Sequence, residues 1–403
     1  MEQENNTLEQ EDSASEQESS VSEPEGKKKW SRKRKIITIV VIVAAILILA
    51  GVTVIGIIYH YIGKINIEET KDIDVDSAIS EMADELDIDT DSKDKDEIVD
   101  EIEKSLNDDE SDSSETDSDT VTSVNDTNLQ NYNTMSADVM SDPDVTNILL
   151  IGTDTRDTSE RGRSDSMILV SLNTRTNKLL MFSFLRDIYI YIPGVGSTRL
   201  NHAYAYGGAE LTMQTIEGNF GIEIDKYVKV DFFSFIEAID AVGGVDITVT
   251  DAEAELINDY LGEINNLVGD KSGSDKLSGG GDLHLNGKQA LCYARIRYIG
   301  TDFERTRRQR DVLNQVIEKV EGMSLGELDS FLDTVLPLIT TNISSSEFFS
   351  YMMNASEYTS YTRVADSIPI SGTYSFMTVR GMSVIGIDFT QNANILRNNI
   401  YGD

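Results

Sequence analysis

The chain has 403 residues and a formal net charge of −37, with 71 acidic residues against 34 lysines and arginines, so arginines gathered into clusters need a reason. A single cysteine, Cys292, excludes an internal disulfide, and its neighbours Ala290, Leu291, Tyr293 and Ala294 read as a packed helix face. The histidines are His60, His202 and His284, with no GxSxG elbow, Walker loop, GxGxxG or HExxH, which removes serine-hydrolase, nucleotide-binding and zinc chemistry.

Residues 1–26 are acidic and rich in Ser and Gln, and they bury too little to offset ordering entropy. The basic block KKKWSRKRK (27–35) then precedes an uncharged run, Ile36 to Tyr59, of about 24 residues, enough as a helix to cross a bilayer. The run is too long and starts too late for a signal peptide, and the basic flank keeps the N-terminus cytoplasmic. From Glu68 to Asp144 acidic residues dominate, without the glycine or ligand period of a calcium loop, so the segment reads as a self-repelling tether; 78–86 and 98–106 could form short, marginal helices. The expected organisation is a disordered cytoplasmic tail with a basic flank (1–35), a transmembrane helix (36–60), an acidic extracytoplasmic tether (61–145) and a folded domain (146–403).

Within that domain, Asn147–Gly152, Ser166–Leu172 and Lys178–Leu185 read as consecutive strands. A helix follows from Gly208 to Phe220, then a strand near Tyr227–Val230, a helix over Asp231–Val242 and a strand Val245–Val249 after Gly243-Gly244. Asn286 caps a predicted helix carrying GKQALCYAR, and Phe303–Val320 is strongly periodic. Helices near Leu325–Ile339 and Glu347–Tyr358, strands near Thr362–Ile368 and Ser383–Ile387, and a helix from Gln391 to Ile400 complete the expectation. The fold class is α/β, a mixed central sheet flanked by helices on both faces. The stretch VDFFSFIEAIDAVGGV from Val230 suits a lipid slot or ordinary core.

The chemistry left is carboxylate plus arginine. Asp154 follows the strand ILLIG, where α/β folds place ligand crevices, and Asp165 opens the next strand across a polar loop. Two carboxylates in one site repel unless a cation lies between them, and oxygen ligands favour Mg²⁺ (or Mn²⁺); the alternative is that each caps a turn or strand. Arg186 and Asp187 close the third strand. Arg295 and Arg297 can reach one ligand only if their helix ends near Ile296, whereas Arg305 and Arg308 share a face; surface pairing with Asp302, Glu304 and Asp311 is the alternative for these arginines.

Seven stretches, LLIGTDTR (149–156), RSDSM (163–167), LNHAYAYGG (200–208), IDKYVKVDFFSF (224–235), VGGVDITV (242–249), LNGKQALCYARIR (285–297) and DFERTRRQR (302–310), resemble the LytR-CpsA-Psr family of cell-envelope proteins in order. The resemblance implies a Mg²⁺-dependent phosphotransferase that moves a glycopolymer (teichoic acid, capsule or another wall polysaccharide) from a polyprenyl pyrophosphate carrier to peptidoglycan at the outer face of the cell membrane, with no nucleic acid as partner. By motif position it makes Asp154 and Asp165 metal ligands and assigns the pyrophosphate to Arg186, Arg295, Arg297 and Arg305. Arg156, Arg163 and Arg308 join that shell as weaker members, Gln309 is a polar contact, and Asp187 is a candidate base. The chain departs from the family where Leu185 replaces a proline, Arg199 a lysine and Glu304 a small residue. A non-catalytic envelope regulator or polyprenyl-phosphate-binding module, and a pyrophosphatase using the same residues with water, are the competing functions.

Overall fold

The computed structural model describes residues 60–61, 63–69, 73–108, 122–123, 138–154 and 162–402. The basic flank, the apolar run Ile36–Tyr59 and Arg156 lie outside the described residues; among these, no helix is long and apolar enough to cross a membrane. In chain order the elements are β1 (Asn66–Ile67), α1 (Val75–Glu85), α2 (Lys95–Asp108), β2 (Thr122–Ser123), β3 (Val145–Thr153), β4 (Ser164–Asn173), β5 (Lys178–Phe184), β6 (Tyr189–Ile192), β7 (Gly196–Arg199) and α3 (His202–Phe220). There follow β8 (Lys226–Val230), α4 (Phe232–Ala241), β9 (Val245–Val249), α5 (Asp251–Val268), β10 (Gly281–Leu285), α6 (Gly287–Ala294) and α7 (Asp302–Glu321). The remainder is α8 (Leu325–Val335), β11 (Thr340–Thr341), α9 (Ser345–Tyr358), β12 (Thr362–Ile368), β13 (Tyr374–Val379), β14 (Met382–Ile387) and α10 (Phe389–Tyr401).

The central sheet has the order β1-β11-β8-β3-β4-β5-β12. Strand β3 runs antiparallel to β4 and parallel to β8, and β12 joins β5 in parallel, so the sheet is mixed and helices flank it. Period-two alternation divides β3 and β4 between two environments. Leu149, Ile151, Met167 and Leu169 enter the main core, whereas Leu150, Gly152, Ser166 and Ile168 line a cavity on the other side. A second core of Phe232, Ile236, Ile239, Ile257, Leu291 and Cys292 joins α4, α5 and α6. At Gly287, a Cβ would lie 2.2 Å from the Ile236 carbonyl oxygen, so only glycine lets α6 approach α4 this closely.

Every long element predicted within the folded domain is present, with ends displaced by a few residues. The helix predicted from Gly208 starts at His202 and breaks at Gly207-Gly208, where Gly208 has φ 65°. Helix α5, strands β10 and β13 and the β6–β7 hairpin are additions to the sequence-based list.

The acidic segment departs from the tether expectation. Asp74 accepts the Ser77 N–H at 3.0 Å and starts α1, whose Ile79, Met82 and Ala83 are buried in the main core. Helix α2 adds Val99 and Ile102, with Ile98 and Leu106 packed beside them. The apolar positions 98, 102 and 106 recur every four residues, one helical face that the surrounding charge masks. Earlier still, β1 pairs with β11, and Tyr61 and Ile65 pack on Leu336. The Tyr61 hydroxyl donates to Asp329, and Lys64 reaches Asp333 at 2.6 Å.

Candidate active site

The cavity has a volume of ≈ 460 Å³ and lies between one face of β3–β4 and helices α4, α6 and α7. Leu150, Ile168, Phe235, Ile239, Leu313 and Val316 give it an apolar wall, and Asp154, Asp165, Arg295, Arg297, Arg305 and Gln309 give it a charged one. Alternation along the strands supplies the first wall; the ends of β3 and β4, the C-terminus of α6 and the first turns of α7 supply the second.

Asp154 follows β3 directly. Its Oδ1 accepts the Arg163 backbone N–H at 2.6 Å, and the Arg163 guanidinium stands 3.8 Å from Oδ2. Burial and the charge of Asp165 push its carboxyl above the ordinary value. Asp165, one residue into β4, receives Arg186 Nη1 at 2.8 Å and Arg297 Nη2 at 3.4 Å. Burial would raise this carboxyl, but Arg186, Arg297 and Arg305 together hold it well below the usual range.

Asp187 lies between Arg186 Nε at 3.5 Å and Arg199 Nε at 3.4 Å. Against the effect of burial, Arg186 and Arg199 hold its carboxyl below the ordinary carboxylate range. A carboxylate so stabilised is a weak proton acceptor, and its surroundings suit holding the two arginines better than the base role expected of it. Arg199 also donates Nε and Nη2 to the Ser383 carbonyl, at 3.2 and 2.9 Å.

Helix α6 ends at Ala294, which meets the condition for Arg295 and Arg297 to share a site. Arg297 turns to Asp165, and Arg295 lies 4.6 Å from the centroid of the Phe232 ring and 3.7 Å from Glu263. Arg305, 2% exposed, pairs with Asp302 at 2.7 Å. Gln309 donates to the Ala294 carbonyl at 3.5 Å and leaves Oε1 without a hydrogen bond. Glu304 bends back to accept the Thr301 N–H at 2.7 Å, capping α7 rather than adding its charge to Arg305.

Arg308 differs from its expected place in the binding shell. It is 1% exposed, donates Nε to Glu253 at 2.8 Å, and gives Nη1 and Nη2 to the carbonyls of Ile296 and Ile299 at 3.3 and 3.1 Å. The i,i+3 spacing gave Arg305 and Arg308 neighbouring directions, but the angle between them suffices to send one to the site and the other to the core.

Buried polar atoms without a hydrogen bond concentrate here: Asn201 Oδ1 and Nδ2, His202 Nε2, Asp302 Oδ2, Arg305 Nε and Gln309 Oε1. Folded proteins rarely leave such groups unmatched except where a ligand, ion or water is received. His202 and Glu103 were missed as site neighbours; the motif LNHAYAYGG contained the first, and the face of α2 the second.

A charged cluster at strand ends beside an apolar cavity defines an α/β domain suited to an amphiphile with an anionic head. The chain belongs to the LytR_cpsA_psr family, whose profile it matches over residues 100–399. It is 34% identical over 221 residues to the polyisoprenyl-teichoic acid-peptidoglycan teichoic acid transferase TagU of Bacillus cereus, a match covering 53% of this chain and 66% of that relative, just under two thirds of its length. Among solved structures it is similar to TagT bound to LIIa-WTA, with TM-score 0.53 and 27% identity over 66% of this chain and 96% of that one. A second, the LytR-CPS2A-psr family protein YwtF (TagT) with bound octaprenyl pyrophosphate lipid, gives TM-score 0.50 and 26% identity, again over 66% and 96%.

Proposed function

We propose that the protein is a membrane-anchored phosphotransferase that takes a glycopolymer from a polyprenyl pyrophosphate carrier and joins it to peptidoglycan through a phosphodiester. The observation that carries this reading is the contiguity of the two walls: an apolar slot for a prenyl chain beside Arg295, Arg297 and Arg305 for a pyrophosphate. The names of the TagU relative and of the lipid-bound neighbour support the same substrate class. The apolar run 36–59 would be the anchor, with its basic flank in the cytoplasm and the domain outside.

In the reaction, a hydroxyl oxygen of the wall sugar attacks the phosphorus that bears the glycan. The bond from that phosphorus to the bridging oxygen breaks, polyprenyl phosphate leaves, and the hydroxyl proton passes to solvent or a carboxylate. The arginines hold the two phosphoryl groups in line and neutralise charge growing on the leaving phosphate. Arg186 and Arg297 fix Asp165, and Arg163 fixes Asp154.

Among the described residues no group of three or more His, Cys, Asp and Glu forms a ready cage. Mg²⁺ needs none, because it binds through one or two carboxylates together with phosphate oxygens and water. Asp154 and Asp165 fit that requirement, since the repulsion that raises Asp154 is relieved by a cation. The metal, when bound, would supply further positive charge to the phosphoryl oxygens.

The test uses the full chain in nanodiscs with polyprenyl pyrophosphate-linked oligosaccharide, peptidoglycan fragments and Mg²⁺, followed by mass spectrometry. A phosphodiester-linked glycan that disappears with EDTA is expected. Carrier cleavage without attachment would replace the transferase by a pyrophosphatase, and tight carrier binding without turnover would replace it by a binding module.

A further inference from the structure

Helix α2 touches both flanks of the charged cluster. On one side the Leu106 carbonyl accepts Arg163 Nη1 at 3.1 Å, and Arg163 in turn fixes Asp154. On the other, Glu103, 3% exposed, accepts the hydroxyl of Thr198 and faces Arg199, the partner of Asp187. A hydroxyl has one proton, so if Thr198 donates it to Glu103, Thr198 can only accept from His202 Nδ1, 3.0 Å away. His202 is fully buried, and burial reinforced by Arg199 and Arg163 lowers its pKa to about 3, so the ring is neutral. Its proton then sits on Nδ1, and Nε2, which makes no hydrogen bond, offers a lone pair in surroundings crowded with guanidinium groups. The other tautomer would leave a buried Nε2–H without an acceptor.

We propose that Glu103 is a positioning residue of the site: through Thr198 it fixes the tautomer of His202, and through Arg199 it steadies the carboxylate of Asp187. This rests on the transferase reading only for its effect on turnover. The groups facing Glu103 are Thr198 and Arg199 on β7, Arg380 after β13, Tyr206 on α3 and Asp100 on its own helix, itself paired with Arg380. Burial pushes the Glu103 carboxyl up to about 7, with Thr198, Arg380 and Arg199 opposing and Asp100 reinforcing the rise. The carboxylate, and the order it imposes, is therefore present above that pH and lost below it.

Two substitutions in the full chain test this in detergent micelles. E103Q keeps the shape of the neutral form that the fold already accepts, so folding, checked by thermal unfolding, is retained. At pH 8 its kcat should fall about tenfold with KM little changed, and its rate should lack the wild-type acid limb near pH 7. Wild-type kcat and an unaltered limb in E103Q would overturn the proposal. E103M removes the acceptor, so the Thr198 hydroxyl turns to His202 and ring-nitrogen NMR shifts should report transfer of the proton from Nδ1 to Nε2. An unchanged tautomer, or a wild-type ring already protonated on Nε2 at pH 8, would overturn it as well. The nitrogen shifts need no substrate, so failure of the wild type to transfer glycan would count against the transferase alone.

Discussion

Replacing Arg308 by methionine separates a core pin from a ligand arm. The pair with Glu253 has side-chain exposures of 2% and 7%, and Arg308 is also the donor to the carbonyls of Ile296 and Ile299. Burial raises the Glu253 carboxyl, but the Thr250 backbone N–H and the Arg308 guanidinium outweigh it and bring the group below its ordinary value. Removing one member of such a buried pair leaves the other uncompensated, at a cost of about 3–5 kcal/mol. At ~2–4 °C per kcal/mol for a domain of this size, R308M should lower Tm by roughly 6–20 °C. The double variant E253Q/R308M should recover part of that loss, because no unpaired charge remains. Differential scanning fluorimetry of the full chain in detergent, with isothermal titration of geranylgeranyl pyrophosphate, reads both quantities. A variant as heat-stable as wild type that binds the pyrophosphate at least tenfold more weakly would refute the reasoning and return Arg308 to the binding shell.

Asp154→Asn removes a carboxyl raised by burial and by Asp165; stability should hold or rise while glycan transfer falls by at least about a hundredfold, and a large loss in Tm would contradict this. Burial raises the Glu217 carboxyl to about 7, with the Ile224 N–H opposing, so the folded state favours the protonated form and loses stability as pH climbs from the unfolded carboxylate value toward 7. E217Q should therefore raise Tm at pH 8 and leave it unchanged at pH 4.5, and equal effects at both would exclude this group as the cause. Burial pushes the Cys292 thiol up to about 12, so at pH 8 the folded protein should resist Ellman's reagent until denaturant is added; rapid labelling without denaturant would show the α6 face to be open.

Much of the site was legible because its residues fall at the ends of strongly patterned elements. The apolar run of β3 located Asp154, and the Asn286 cap with the short apolar helix after it located Arg295 and Arg297. Direction was harder to read. Whether Arg308 turns to ligand or core depends on Glu253, fifty-five positions away on α5, and nothing local to Arg308 encodes that partner. Helix α2 was legible as a short helix over 98–106, but its burial was hidden: Asp and Glu set its average character, while a minority of apolar positions decides its packing. Glu103 belongs to that helix, so composition that suggested a solvated strand of charge concealed a buried carboxylate.

The described residues before position 109 are threaded into the same body as those after 138. Ile79, Met82, Ala83, Val99 and Ile102 are part of the main core, and β1 adds an edge to the central sheet. A single backbone cut between 109 and 137 would divide the polypeptide without dividing the fold. The two fragments would stay interlocked, as in a split protein whose halves complement one another, and the larger one would not be shed from whatever holds the smaller. Co-elution of both fragments after such a cut, with separation only in denaturant, is the expected sign of this.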